Sequence, residues 1–181
     1  MSGTLIQIAG VPRSGTAFLA AFLSLHPKCV ANHELAATDP NWKETLRDQL
    51  EHWEFVVDST TYGWLPKATF EGSKRIGLTR NSDESAKCAS KAFGYEVNPD
   101  AFDFCCDQII EWTSGLKGLV VDYQELFLVE TLQTLWVHCF GNTAFFSEEK
   151  ARLFISLNIQ RMNPEVVFSK ENSEKMLKEV V

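Results

Sequence analysis

The stretch from Ile6 to Leu25, IQIAGVPRSGTAFLAAFLSL, leaves few folds open to this chain. Its first part, residues 4–9, is a short apolar run that ends at Gly10 and reads as a buried strand. The turn Gly10-Val11-Pro12-Arg13-Ser14-Gly15-Thr16 follows, marked by two glycines and a proline. A helix over about Gly15 to Leu25 comes next, apolar nearly all round, and Pro27 stops it. A strand that feeds a glycine-containing loop into a helix N-terminus builds an anion cradle. The first backbone N–H groups of the helix lack internal partners, and the helix dipole adds positive potential. We therefore expect this loop to hold a phosphate-bearing nucleotide.

The remaining chain alternates short strands with helices. Residues 29–32 form a strand from whose end His33 and Glu34 emerge. Asp39-Pro40 opens a helix with an N-cap residue and a first-turn proline, and Trp42, Leu46, Leu50 and Trp53 recur on one stripe. Residues 55–58 and 75–79 read as strands, the second leaving Arg80 at its carboxyl end. Asn81 with Glu84 makes a capping-box-like start for a helix to Phe93, and Asn98-Pro99 starts another. The last strand is residues 118–122, followed by helices at about 129–140 and 148–159. Residues 164–181 are polar and helix-prone, a peripheral tail to a single domain. This order implies an α/β fold with a parallel sheet of about five strands, covered by helices on both faces. In such sheets ligands sit at the carboxyl ends of the strands. The 10–16 loop, His33/Glu34, Asp58-Ser59-Thr60 and Arg80 all fall there.

A formal charge of −7 argues against a general nucleic-acid binder but not against a small anion in a local pocket. No secretory signal is read at the N-terminus, and the longest apolar run, Ala17 to Leu25, is too short to span a membrane. The five cysteines form no CxxC pair and are read as reduced core or boundary residues of a cytoplasmic protein.

The loop has the glycine spacing of the NTPase P-loop, but Thr16 stands where that motif has lysine and Ala17 where it has the Mg²⁺-binding hydroxyl. The cation sits inside the loop, as Arg13. Pro12-Arg13-Ser14-Gly15-Thr16 resembles the P-[KR]-S-G-T loop of sulfotransferases that use 3′-phosphoadenosine-5′-phosphosulfate (PAPS). Leu25-His26-Pro27, Val56-Val57-Asp58-Ser59-Thr60, Arg75 to Arg80 and Val120 to Leu126 are similar to further segments of that family, in the same order. The resemblance implies PAPS as donor co-substrate, no metal, and a small-molecule or peptide acceptor. It implies that Pro12, Arg13, Ser14, Gly15, Thr16 and Ala17 cradle the 5′ end and that Arg80 binds the 3′-phosphate. The family serine eight residues after that arginine is Cys88 here, with Ser85 and Ser90 nearby as substitutes; Ser59 replaces a lysine, and no R-K-G segment follows.

Sulfuryl transfer needs cations and N–H groups on the leaving phosphate and a base for the acceptor proton. Arg13 fits the first role, because its charge is permanent and its planar fork suits phosphate oxygens. Glu34 is the first choice for the base and His33 the rival; on an extended chain the two face opposite ways. Asp58 is read as orienting the loop or capping a strand end, and Tyr62 and Trp64 as acceptor-side residues. Two other readings stay open: a P-loop kinase, and a nucleotide-binding member without catalysis.

Overall fold

In the computed structural model the described residues are 3–61, 63, 65, 68–115, 118–157 and 167–178. Strand β1 (Thr4–Gly10) lies at the middle of a six-stranded sheet. It pairs in parallel with β3 (Phe55–Thr60) on one side and β4 (Lys74–Thr79) on the other. Beyond them lie β2 (Cys29–His33) and β5 (Leu119–Asp122), also parallel, and β6 (Val167–Phe168) closes the β2 edge antiparallel. The sheet order is β5-β4-β1-β3-β2-β6, so the expected five parallel strands are present with one short addition.

β1, β2 and β3 are buried almost throughout because helices cover both faces of the sheet, whereas edge strand β5 leaves Val120 exposed. On one face α1 (Thr16–Leu23) is wholly buried. Its Phe18, Leu19 and Phe22 pack with α6 (Val129–Phe140) and α7 (Glu148–Ser156); the Phe22 ring meets Trp136 edge-on at 5.6 Å and Phe154 at 5.8 Å. On the opposite face α3 (Trp42–His52) lays Leu46 and Leu50 on Leu5, Val30 and Val56, with Trp42 and Trp53 at the margin. There α4 (Ser82–Phe93) and α5 (Pro99–Ser114) cover Ala9 and Val11 with Ala86, Ala89, Phe102 and Ile109.

The start signals read from the sequence work in part. Asn81 accepts from the Glu84 backbone N–H at 3.1 Å, and Asn98 accepts from that of Asp100 at 3.0 Å. Asp39-Pro40 does not open α3 directly. A four-residue helix, α2 (Leu35–Thr38), comes just before it and Asn41 holds the N-cap position of α3, while Asp39 accepts from Asn41 N–H and the Thr45 hydroxyl at 2.8 and 2.6 Å. The described part of the expected peripheral tail is not merely appended. Phe168 is fully buried against Ala31, its register partner. The final helix α8 (Lys170–Lys178) buries Leu177, and its Ser173 hydroxyl sits 2.6 Å from that of Ser24. All five cysteines are free, Cys29 and Cys139 in the core. Among the described residues no helix is long and apolar enough to cross a membrane.

Candidate functional site

The loop between β1 and α1 is set by close approach and by left-handed backbone. A Cβ on Gly10 would stand 2.3 Å from the Ser14 hydroxyl, so only glycine lets the turn fold onto its own start. Arg13 and Gly15 both have positive φ, 72° and 93°; for arginine that conformation costs about 1–2 kcal/mol. Together they turn the chain so that Gly15 caps α1 and the N–H groups of Thr16, Ala17 and Phe18 face its open end without intrahelical acceptors. The Ser14 hydroxyl is buried there and has no hydrogen-bond partner. The Arg13 side chain is exposed and makes no ion pair among the described residues.

Arg80, at the end of neighbouring β4, reaches across to this loop. Its Nη1 donates to the Arg13 carbonyl at 2.9 Å, and its guanidinium lies over the Tyr123 ring at 4.0 Å. The Tyr123 backbone N–H in turn bonds Thr79 O at 2.8 Å, which fixes the ring beside β4. Glu84, one turn into α4, stands 3.6 Å from Arg80 Nε. That Nε and the fully buried Ser85 hydroxyl both lack hydrogen-bond partners. Unpaired buried donors of this kind suit a visiting anion, since each otherwise costs about 1–3 kcal/mol. Cys88 is half-buried one turn beyond Ser85. Ser90 drops out of this group: its hydroxyl accepts from Val97 N–H at 2.9 Å and holds the α4–α5 connection.

His33 and Glu34 do face opposite ways. His33 is in register with Ser59, whose hydroxyl donates to Thr16 O at 3.0 Å, so both belong to the α1 side. Burial lowers the His33 pKa, against smaller upward pulls from Glu34 and the Ser59 backbone, and keeps the imidazole neutral. Glu34, in a left-handed turn at φ 55°, swings to the other face. Its Oε1 accepts from Thr61 N–H and hydroxyl at 2.8 and 2.6 Å, and its Oε2 from the Thr60 hydroxyl at 3.0 Å. There it lines a cavity of about 480 Å³ with Trp42, Lys43, Thr60, Leu65 and Ala68. Tyr62 and Trp64, expected beside the acceptor, lie outside the described residues.

Asp58 neither orients the loop nor caps a strand. It lies in a row of polar side chains, Asn32, Asp58, Gln7 and Arg75, aligned across four strands. Its neighbours are bonded elsewhere. Asn32 donates to Gln49 at 2.8 Å and Gln7 to Ala68 O at 2.8 Å, while Arg75 donates to Trp112 O at 2.8 Å. Both Asp58 oxygens are buried and lack a hydrogen bond. Desolvation therefore pushes its pKa up to about 7; the nearby Gln7 amide offsets part of this, and the Glu34 charge adds to it.

The loop, Thr60/Thr61, Glu34 and Arg80 thus end four adjacent strands, β4-β1-β3-β2. Arg80 and Glu34 are three strand spacings apart, about 14 Å. An ion pair of Arg80 with Glu84 is within reach of a sequence reading, since the two are one helical turn apart; the sequence missed Tyr123. Tyr123 follows β5, which lies beside β4, and that adjacency was the signal for a ring near Arg80.

No family model and no curated protein sequence matches the chain. Solved structures do. A mouse sulfotransferase, SULT7A1, complexed with PAP superposes with TM-score 0.68 at 17% identity, over 90% of this chain and 68% of that one. A sulfotransferase from Alicyclobacillus acidocaldarius gives 0.57 at 12% identity, over 80% and 83%. The sulfotransferase domain of the Synechococcus PCC 7002 olefin synthase gives 0.57 at 13% identity, over 97% and 88%. The chain has the P-loop-type sulfotransferase fold.

Proposed function

We propose that this chain is a sulfotransferase that binds PAPS with its 5′ end on the 10–16 loop and its 3′-phosphate at Arg80, and transfers the sulfuryl group to a hydroxyl or amine in the Glu34 cavity. The observation that carries this reading is the reach of Arg80 across the loop. One cation, one strand from the cradle, is stacked on Tyr123 and bonded to the Arg13 carbonyl, and the unpaired Ser85 hydroxyl lies in the first turns of the helix that follows it. The fold it shares with a sulfotransferase complexed with PAP supports the choice of nucleotide. Five free thiols suit a reducing, cytoplasmic setting.

When bound, the donor supplies an activated sulfuryl group with a phosphate as leaving group. Arg13 and the first-turn N–H groups of α1 face the phosphate oxygens on which negative charge builds. Ser59, through Thr16, holds that turn in place. Glu34 takes the acceptor proton: it accepts two hydrogen bonds at Oε1 and one at Oε2, which leaves one lone-pair direction of Oε2 open. As the acceptor oxygen bonds to sulfur, the S–O bond to phosphate breaks and its electron pair leaves with the bisphosphate. The Thr60 and Thr61 donors keep the Glu34 carboxylate aimed during this exchange.

The test is transfer of a labelled sulfuryl group from PAPS to a small phenol. We expect a labelled sulfate ester, and a fall in kcat of about 10²-fold or more in Glu34→Gln with bisphosphate binding unchanged. A folded chain that binds the bisphosphate yet transfers nothing to phenols, alcohols or amines overturns the catalytic reading.

A further inference from the structure

The cavity beside Glu34 carries a second chemical feature. Of its lining residues Ala36, Ala37, Leu65 and Ala68 are apolar, and the Trp42 indole forms a flat wall braced edge-on by Phe70 at 5.6 Å. Among the described residues the cationic lining residue is Lys43, half-buried. Its ammonium lies 5.2 Å from the Trp42 ring centre and 5.9 Å from that of Phe70. It makes no ion pair among the described residues, and the nearby carboxylates have partners of their own. Asp39 holds Asn41 and Thr45, Glu44 pairs with Arg47 at 3.4 Å, and Glu34 holds Thr60 and Thr61. Lys43 is also the second residue of α3, at the positive end of an 11-residue helix. A cation there runs against the helix dipole, where an acidic side chain would stabilise. The fold gives this cation only the Trp42 and Phe70 ring faces and, among the described residues, no carboxylate; a local rule broken in that way beside a cavity points to a ligand.

From this geometry we propose that the cavity selects an acceptor with an anionic end: a small aromatic hydroxy acid, its hydroxyl at Glu34 and Thr60, its ring against Trp42, and its carboxylate on Lys43. The proposal rests on the sulfotransferase reading for the direction in which the acceptor lies. The aromatic body follows from the indole wall and apolar floor, since offset or edge contacts between rings favour such a ligand. The carboxylate follows from Lys43, whose half-buried ammonium can give an anion a charge-assisted hydrogen bond. A cationic acceptor would leave two ammonium groups facing each other.

Three phenols of one body separate these possibilities: 4-hydroxyphenylacetate, its neutral amide, and tyramine. Each is titrated calorimetrically into the whole chain, with and without adenosine 3′,5′-bisphosphate. We expect the acid to bind about tenfold tighter than the amide, tyramine to bind weakest, and Lys43→Met to erase the difference between acid and amide. Lys43→Arg should keep it. Equal binding of all three, a preference for tyramine, no binding of any, or a preference that survives Lys43→Met overturns the proposal. Failure of the bisphosphate to bind while the acid preference holds would sink the sulfotransferase reading and leave the anion-selective cavity standing.

Discussion

The contribution of Asp58 to stability should fall as pH rises, and Asp58→Asn should remove that contribution. The carboxyl is buried without a hydrogen bond in the middle of the sheet, and its pKa moves from 3.8 to about 7. Because the folded pKa is raised, the favourable contribution is complete below pH 3.8, where both states are protonated. Between 3.8 and about 7 the unfolded chain releases its proton while the folded one keeps it, so unfolding gains with each pH unit. A shift of about three units amounts to roughly 4 kcal/mol lost across the whole window, of which about 2–3 kcal/mol falls between pH 5 and pH 8. Asparagine has nearly the same shape and no charge to release. Urea unfolding of both proteins at pH 5, 6, 7 and 8 measures the difference, and the histidines and other titrating groups cancel in it. We expect Asp58→Asn to gain about 2–3 kcal/mol on the native protein from pH 5 to pH 8. Parallel profiles would show that Asp58 ionises in the fold with little penalty, and the reasoning from its burial would be wrong.

Arg13→Ala should weaken binding of adenosine 3′,5′-bisphosphate by about 10²-fold, the loss of a charge-assisted contact, with unchanged unfolding midpoint; calorimetry checks both. Glu84→Gln should tighten bisphosphate binding by about tenfold and leave adenosine 5′-phosphate unaffected, because the carboxylate 3.6 Å from Arg80 Nε competes only with a 3′-phosphate. Lys74→Met should cost about 1–3 kcal/mol in urea unfolding, since Lys74 Nζ donates to the His138 and Cys139 carbonyls at the end of α6, both at 2.9 Å.

Much of the scaffold was legible because its signals are local. The Ile6–Leu25 stretch carries strand, turn and helix within twenty residues, and Asn81 and Asn98 announce their helices by side-chain chemistry that the structure keeps. What escaped depends on pairing at a distance. The four residues of α2 are too few for any periodicity, and β6 is a two-residue edge pairing whose burial of Phe168 is decided by β2, far off in sequence. The site divided along the same line. Glu34 and His33 were placed on opposite faces by strand geometry alone, yet only the left-handed turn at Glu34 shows which one meets the cavity. Ser90 looked equivalent to Ser85 in spacing, but helical rotation carries it to the α4–α5 connection. The stacking of Arg80 on Tyr123 joins residues 43 apart through neighbouring strands, which no motif records.

The central claim is that the 10–16 loop and Arg80 form one site for a nucleotide with phosphates at both ends. Calorimetric titration of the native chain with adenosine 3′,5′-bisphosphate, set beside adenosine 5′-phosphate, tests it most directly. The account predicts one site per chain, at least tenfold tighter for the bisphosphate, with that advantage lost in Arg80→Ala. No heat with millimolar bisphosphate, or equal affinity for the two nucleotides, would contradict it.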